Sequence, residues 1–230
     1  MRTADQHLIR GFPLFRGVQD DVFDRVTASA QIRDWQPGET VLVEGEKPAW
    51  LFVLLNGLVE AFSGHGGKET TLSFVRPPGA FIMAAVWTDQ VQLTSIRTIE
   101  KSRILQIPAE DIRSGLAQDA SFAKAAGLEL AIRYRDILRE LKNQRMRSAT
   151  ERLANWLLLE QEISNTPSFS LPIPKSLLAA RLGMTNEHLS RSLNILRDHG
   201  VSLSGSVITV DRKALIAYAH PSILMDGADI

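Results

Sequence analysis

The stretch GMTNEHLSRSLNILRDHG, residues 183–200, carries a glycine at each end and leucines at helical spacing. Leu189, Leu193 and Leu196 fall on one side of a helix. Thr185 or Asn186 is placed to cap its start, and His199-Gly200 closes it. Immediately before it, IPKSLLAARL (residues 173–182) sets Leu178 and Leu182 four apart on a second helix, with the small Ala179 beside them. Gly183 takes the turn. Helix, short glycine-containing turn, helix is the helix-turn-helix pattern. The small residue four positions before the glycine lets the helices approach, and Leu189, six positions after it, fills their crossing. The following VSLSGSVITVD (residues 201–211) alternates around Gly205 as a hairpin, the element called a wing.

The side of the second helix opposite its leucines carries Asn186, Glu187, Ser190 and Arg191. Positions 187, 190 and 191 share one face near the helix N-terminus. In a helix-turn-helix that end enters the major groove. An arginine there can bond bidentately to guanine O6 and N7, and a glutamate can accept from cytosine N4. A serine can reach a base edge or stand against a thymine methyl. A carboxylate facing DNA is otherwise repelled by phosphate, so Glu187 points to base reading. The competing reading is a solvated face with a Glu187–Arg191 ion pair across one turn. The expected DNA-contacting set is Lys175, Thr185, Asn186, Glu187, Ser190 and Arg191.

Working outward, Ser148-Ala-Thr-Glu151 reads as a capping box opening a helix over 150–162. The polar loop SNTPSFS follows, with Pro172 and Pro174 beyond. From Asp119 to about Met146 the chain has no proline, and apolar residues recur at Leu130, Tyr134, Ile137/Leu138 and Leu141. That predicts a helix of about 25 residues, longer than globular helices usually run, breaking near Arg147 as a hinge. Its stripe is close to heptad spacing, which makes Leu130, Tyr134, Leu138 and Leu141 a candidate dimer seam; packing on its own domain is the alternative. Between 31 and 108 the composition is rich in β-branched and aromatic residues. TVLVEG (40–45), WLFVLLNGLVEAF (50–62), TTLSFV (70–75), LTSIRTI (93–99) and SRILQI (102–107) read as strands. Pro37-Gly38, Asn56-Gly57, Gly66-Gly67 and Pro78-Gly79 punctuate them as turns. Short strands so closely spaced predict a barrel, roll or sandwich. The fold class is therefore α+β. The expected domains are 1–117, a β-roll sensor; 118–147, the long helix and hinge; and 148–230, the winged helix with a short tail.

The chain has 230 residues, 26 basic and 26 acidic, and no cysteine. Zero net charge means that any electrostatic footprint for nucleic acid is local; the 148–230 segment is itself near neutral, which predicts modest affinity that falls with salt. Without cysteine there is no disulfide, cysteine-ligated iron–sulfur cluster or thiolate zinc site. The N-terminus lacks a signal-peptide core, and no apolar run is long enough to span a membrane. A cytoplasmic location is expected. No zinc-protease, nucleophile-elbow or phosphate-loop motif is present, so an enzyme is not expected.

As a whole the chain resembles the Crp–Fnr superfamily of bacterial transcription regulators. PGETVLVEGEKPAWLFVLLNGLVEAF (37–62) is similar to the cyclic-nucleotide-binding β-roll, with Gly38, Gly45 and Gly57, and residues 175–215 are similar to the family's winged helix. Glu187, Ser190 and Arg191 resemble the recognition set of the Fnr-like branch, which reads TTGAT-type half-sites in a pseudo-palindrome. LPIPKSLLAARLGMTNEHLSR most resembles the nitrogen-oxide-responsive Dnr/NnrR regulators. The resemblance implies a homodimer through the long helix, double-stranded DNA as target, and RNA polymerase as a partner through a loop such as 65–69 or 163–169. A ligand-binding regulatory subunit of an enzyme is the alternative from another class.

The departures from the family bear on the effector. Members that bind cyclic AMP carry Gly-Glu-Leu and Arg-Ser-Ala in the roll, the Glu meeting the ribose and the Arg the phosphate. Here those stretches read Phe81-Ile-Met-Ala-Ala85 and Leu93-Thr-Ser95. Both charged groups are missing, so an anionic nucleotide would lie buried without its counter-charge. Arg97 has the strand parity of Ser95 and could partly substitute, which keeps a cyclic-nucleotide-dependent regulator as an alternative. What remains is an apolar pocket drawn from Met83, Ala84, Ala85, Trp87, Leu93, Tyr134, Ile137 and Leu138, with Ser95, Arg97 and Arg133 beside it. Such a pocket suits haem or a small aromatic ligand, an aromatic acid pairing with Arg97 or Arg133. An effector-free, constitutively active regulator is a further alternative. Haem needs an axial ligand, usually His. His7 and His65 are the candidates, and each reads first as a solvated side chain.

Overall fold

The computed structural model describes residues 3–226, and the chain divides inside its long helix into two compact units, one ending at Arg133 and the other beginning at Tyr134. Residues 1–2 and 227–230, the outer ends of the expected sensor and winged-helix domains, lie outside the described residues.

The first unit opens with α1 (Thr3–Arg10), a 3-10 turn (Pro13–Phe15) and α2 (Asp20–Thr27). Eight strands follow: β1 (Gln31–Trp35), β2 (Thr40–Leu42), β3 (Trp50–Asn56), β4 (Val59–His65), β5 (Lys68–Val75), β6 (Gly79–Phe81), β7 (Ser95–Thr98) and β8 (Ser102–Pro108). The helix α3 (Met83–Thr88) interrupts them, and α4 (Ala109–Gln118) leads into α5 (Ala120–Met146). Two antiparallel sheets result, in the orders β1-β8-β3-β6 and β2-β7-β4-β5. The apolar run of β3 has a physical cause. Phe52 and Leu54 join Trp35, Val59, Phe81, Ile96 and Ile104 inside the roll, while Leu51 and Val53 join Leu105, Ile107, Phe15, Phe23, Ile112 and Phe122 on the helix-covered side. Successive side chains of a strand point to opposite faces, and here both faces are buried, so alternation with polar residues is absent. Inside the roll Phe52 and Phe81 stack, ring centroids 5.4 Å apart.

In the second unit α5 ends at Met146 and α6 (Ala149–Ser164) begins two residues after Arg147, so the chain breaks where the sequence places a hinge. The capping box is formed in both directions: the Ser148 hydroxyl accepts from the Glu151 N–H at 3.2 Å, and the Glu151 carboxylate accepts from the Ser148 N–H at 2.7 Å. β9 (Ser168–Ser170), α7 (Lys175–Arg181), α8 (Asn186–Arg197), β10 (Val201–Ser204), β11 (Val207–Val210), α9 (Arg212–Ala219) and the short α10 (Ile223–Asp226) complete the unit. The hairpin β10–β11 gains β9 as a third strand on β11; the polar stretch SNTPSFS predicts a loop, and the open edge of β11 makes a strand of its last three residues. Leu153, Leu157, Leu178, Leu189, Leu196, Val201, Ile208 and Leu215 are fully or nearly fully buried. Among the described residues no helix is long and apolar enough to cross a membrane.

Two polar contacts organise this core. Ser192, wholly buried on the inner face of α8, exchanges a hydroxyl hydrogen bond of 2.9 Å with Thr150 of α6. Glu140, near the end of α5, accepts from Arg181 of α7 at 2.8 Å and from Gln144 at 2.8 Å. Burial alone would raise its pKa, but Arg181, Gln144 and the charge of Arg152 together hold it below the ordinary carboxylate range.

Ser192→Ala leaves the Thr150 hydroxyl buried without a partner and should cost about 1–2 kcal/mol, read as a lowered denaturation midpoint with unchanged m-value. Because the folded unit binds the Glu140 proton more weakly than the unfolded chain does, the pair stabilises the unit above the ordinary carboxylate range. That contribution drains as pH falls through the range. Glu140→Gln should therefore lower stability at neutral pH and flatten its decline with acid, measured by urea unfolding at stepped pH.

Candidate nucleic-acid interface

The turn that aims α8 is set by backbone chemistry. Leu182 ends α7, and Gly183 turns the chain with φ +65°, which a residue with a Cβ rarely adopts. The Met184 N–H then bonds the Ala179 carbonyl at 2.9 Å, closing the turn on the small residue. The Thr185 hydroxyl caps α8 by accepting from the His188 N–H at 3.2 Å. Leu189, Ser192, Leu193 and Leu196 face inward, and Asn186, Glu187, Ser190, Arg191, Asn194 and Arg197 are exposed along the outer face.

The individual groups are differently prepared. Glu187 sits in the first turn. Its own backbone N–H, the Thr185 hydroxyl and the charge of Arg191 hold its carboxyl below the ordinary range, so it is an acceptor at neutral pH. The Ser190 hydroxyl donates to the Asn186 carbonyl at 3.0 Å. Its proton is committed to the helix, which leaves its oxygen able to accept from a base amino group and its methylene able to meet a methyl. Lys175, at the start of α7, lines a cleft of about 190 Å³ with Ser190, Leu193, Asn194 and Arg197 of α8 and Val201 and Leu203 of β10. Asn194 and Arg197 are absent from the sequence-derived set. The sequence carries the signal for them: 187, 190/191, 194 and 197 continue one helical stripe.

The near-zero charge of residues 148–230 conceals a segregation. The guanidinium of Arg152 is held by the Leu182 and Arg147 carbonyls, that of Arg181 by Glu140 and that of Arg212 by Glu162. Lys175, Arg191 and Arg197 form no ion pair among the described residues, and all three lie on the outer side of α7 and α8.

The residues expected around an effector are not gathered into one pocket within the first unit. Met83 is buried in the helix-covered core, where Trp87 also packs, and both are outside the roll interior. Ala84 is exposed and Ala85 half-buried. Leu93 is 79% exposed. The Ser95 hydroxyl accepts from the Glu44 N–H at 3.0 Å. Arg97 has the parity opposite to the inward-facing Ile96, so it lies on the outer face of its sheet. There it donates to Glu60 at 2.7 Å and Glu69 at 2.9 Å and stacks over Phe62. Burial opposes its charge, but the two carboxylates hold it above its ordinary range. Glu60 in turn is buried and also accepts from Thr71. Arg133 is paired with Glu129 at 3.1 Å. His7 and His65 are solvent-exposed, and no cluster of metal-ligating side chains occurs among the described residues.

On the long helix, Leu130 is half-buried against the core of the first unit. Tyr134, Ile137, Leu138 and Leu141 are exposed. The expected seam is therefore an uncovered apolar stripe from Tyr134 onward, with Leu130 serving its own domain.

Residues 32–119 match the cyclic nucleotide-binding domain family, and residues 151–218 match the Crp-like helix-turn-helix domain family. The cyclic AMP receptor protein of Thermus thermophilus is 27% identical over 210 residues, covering 90% of this chain and 96% of that protein. A protein from Eubacterium rectale described as a transcriptional regulator of the Crp/Fnr family shares the fold, with TM-score 0.75 at 20% identity over 91% of this chain and 99% of that one. DNR from Pseudomonas aeruginosa shares it with TM-score 0.52 at 21% identity over 95% of this chain and 99% of that one. With both domains matched in this order and the long helix between them, the chain belongs to the Crp/Fnr family of DNA-binding transcription regulators.

Proposed function

We propose that the protein is a homodimer that reads a pseudo-palindromic duplex of TTGAT-like half-sites through Glu187, Ser190 and Arg191, under the control of an effector other than cyclic AMP or of none. The observation that carries the reading is the exposed stripe of α8, where an ionised acid, a hydroxyl oxygen and an unpaired guanidinium stand side by side. Arg191 supplies the fork for guanine O6 and N7, and Glu187 the acceptor for cytosine N4. Thr185 and Asn186 stand at the leading end of the helix. Lys175 and Arg197 border the stripe as phosphate contacts, which set register and affinity without reading sequence. The apolar stripe of α5 from Tyr134 to Leu141 supports self-association at heptad-like spacing. RNA polymerase is the expected protein partner, by family likeness.

The Thermus relative is named for cyclic AMP, which keeps a cyclic-nucleotide-dependent regulator as the second reading. Two placements weigh against it here. An exposed leucine stands where the phosphate would need a cation, and Arg97 is already neutralised by two carboxylates on the outer face of its sheet. The solvated positions of His7 and His65 favour a small apolar or aromatic ligand over haem within the first unit.

Arg191→Ala should cost about 1–3 kcal/mol at the guanine of each half-site, measured by fluorescence anisotropy on matched and single-base-substituted duplexes, and should leave the dimer intact. Equal affinity of the parent protein for matched and scrambled duplexes would remove the base-reading claim. Isothermal titration with cyclic AMP should give no binding heat at concentrations up to about a millimolar, where a Kd corresponds to only about −4 kcal/mol. A micromolar Kd would establish the second reading.

A further inference from the structure

Arg147 is the residue at the break between α5 and α6, yet its side chain is only 5% exposed. Its guanidinium forms a two-pronged ion pair with Asp226, 2.6 Å to Oδ1 and 2.7 Å to Oδ2. It also donates to Asn143 Oδ1 at 3.1 Å and to the His220 carbonyl at 3.4 Å. Its own carbonyl accepts from Arg152 of α6 at 2.8 Å. The junction is thus gripped from α5, from α6 and from the segment that follows α9. That segment is itself shaped for the task. The Met225 and Asp226 N–H groups return to the Ser222 carbonyl at 2.9 and 2.7 Å, and Asp226 Oδ2 accepts from the Ser222 N–H at 2.7 Å. Lys142 reaches the Leu224 carbonyl at 3.5 Å, and Asn155 holds the Ala219 carbonyl at 2.8 Å, just ahead of the turn at His220.

We infer that residues 221–226 act as a clasp, in which Asp226 is a positioning residue that locks the α5–α6 junction through Arg147 and so fixes how α8 is held relative to the end of the long helix. The chemistry is specific. A buried guanidinium with a bidentate carboxylate is well satisfied, and losing the carboxylate leaves a buried cation with two neutral acceptors. A junction that must keep one direction for base reading gains order from a second chain segment tied across it. Asp226 lies at the junction, far along the chain from the outer face of α8, and supplies no group to DNA.

The test is hydrogen exchange on the full chain. In Asp226→Asn the amides of residues 143–148 should exchange about tenfold faster while those of the β9–β11 sheet stay as in the parent. Asp226→Glu, which keeps the carboxylate, should restore most of the protection, and Arg147→Lys, which keeps the charge but loses the fork, should not. In the same Asp226→Asn protein, affinity for the matched duplex should drop about tenfold with an unchanged salt slope, since no phosphate contact is removed. Exchange at the junction within twofold of the parent, or a rise spread evenly over the whole unit, would overturn the clasp. The duplex arm rests on the proposed base reading: where the parent prefers the matched duplex, an Asp226→Asn affinity that is unchanged or higher would also overturn the clasp. The exchange arm involves no DNA, so it separates failure of the clasp from failure of the base-reading proposal.

Discussion

Arg152 lies in the first turn of α6 with its guanidinium buried, and its donors are committed to two main-chain oxygens: Nε and one terminal nitrogen to the Leu182 carbonyl, the other to the Arg147 carbonyl. Those carbonyls close α7 and follow the end of α5, where helices leave acceptors unsatisfied and partial negative charge accumulates. One cation therefore serves two helix ends at once. Burial pulls its pKa down from the ordinary value, and the Glu140 carboxylate pulls it back up; an arginine remains charged throughout. The arrangement satisfies two buried helix ends and ties the last turn of the long helix to the helix-turn-helix. Glu140 with Arg181 and Thr150 with Ser192 add contacts of the same purpose on either side. Polar networks of this kind hold direction better than apolar packing, because each bond tolerates little rotation.

The first unit is organised by a different constraint. Its central strands β3 and β8 send alternate residues into two cores, so both faces of that sheet are filled. The interior of the roll is occupied by stacked rings and branched aliphatics. The polar residues of the second sheet that might have met an anionic ligand are turned outward and satisfied by one another. Glu60, Arg97, Glu69 and Thr71 form a linked set in which one guanidinium is shared by two carboxylates and the buried Glu60 also accepts from Thr71. A nucleotide phosphate would have to displace a carboxylate already bonded to that arginine, at the cost of leaving Glu60 buried and unpaired. The roll keeps the family's fold while its charges are arranged for self-satisfaction.

The winged helix was legible because three independent signals coincide there: leucine spacing, a turn glycine, and a cap at each helix start. Leu189, Leu193 and Leu196 are buried as their spacing requires, and Ser148 and Glu151 close the box that their separation implies. The strands of the roll were legible for the same reason, with turn residues between apolar runs. What stayed hidden is what depends on partners distant in sequence. β9 is a strand because β11 offers it an edge, although Ser168–Ser170 has no strand pattern of its own. The six-residue α3 forms inside a loop region, with Ile82 at its start held at φ +63°, a conformation unfavourable for a β-branched residue that only tertiary packing enforces. Arg97 shows the sharper limit. Parity puts it on the face shared with Ser95, but parity says nothing of which face carries a ligand, nor of the two glutamates on β4 and β5 that engage it.

A chain of zero net charge that binds DNA is a problem only if charge is counted over the whole molecule. Screening confines an exposed charge to a neighbourhood of roughly 8 Å at physiological salt, so what a duplex meets is the local set on α7, α8 and the wing. There the cations Lys175, Arg191 and Arg197 are left uncompensated by direct pairing, while other cations of the unit are occupied by carbonyls and carboxylates. Glu187 is the acid within that set, and it is kept ionised by its position in the first turn. Few phosphate contacts mean a shallow salt slope and weak attachment to arbitrary sequence. On the proposed reading, affinity then comes from base edges matching the acid, the hydroxyl oxygen and the guanidinium. A sparse interface of this kind raises the ratio of specific to non-specific binding, which is the quantity that decides occupancy among a genome's many competing sites.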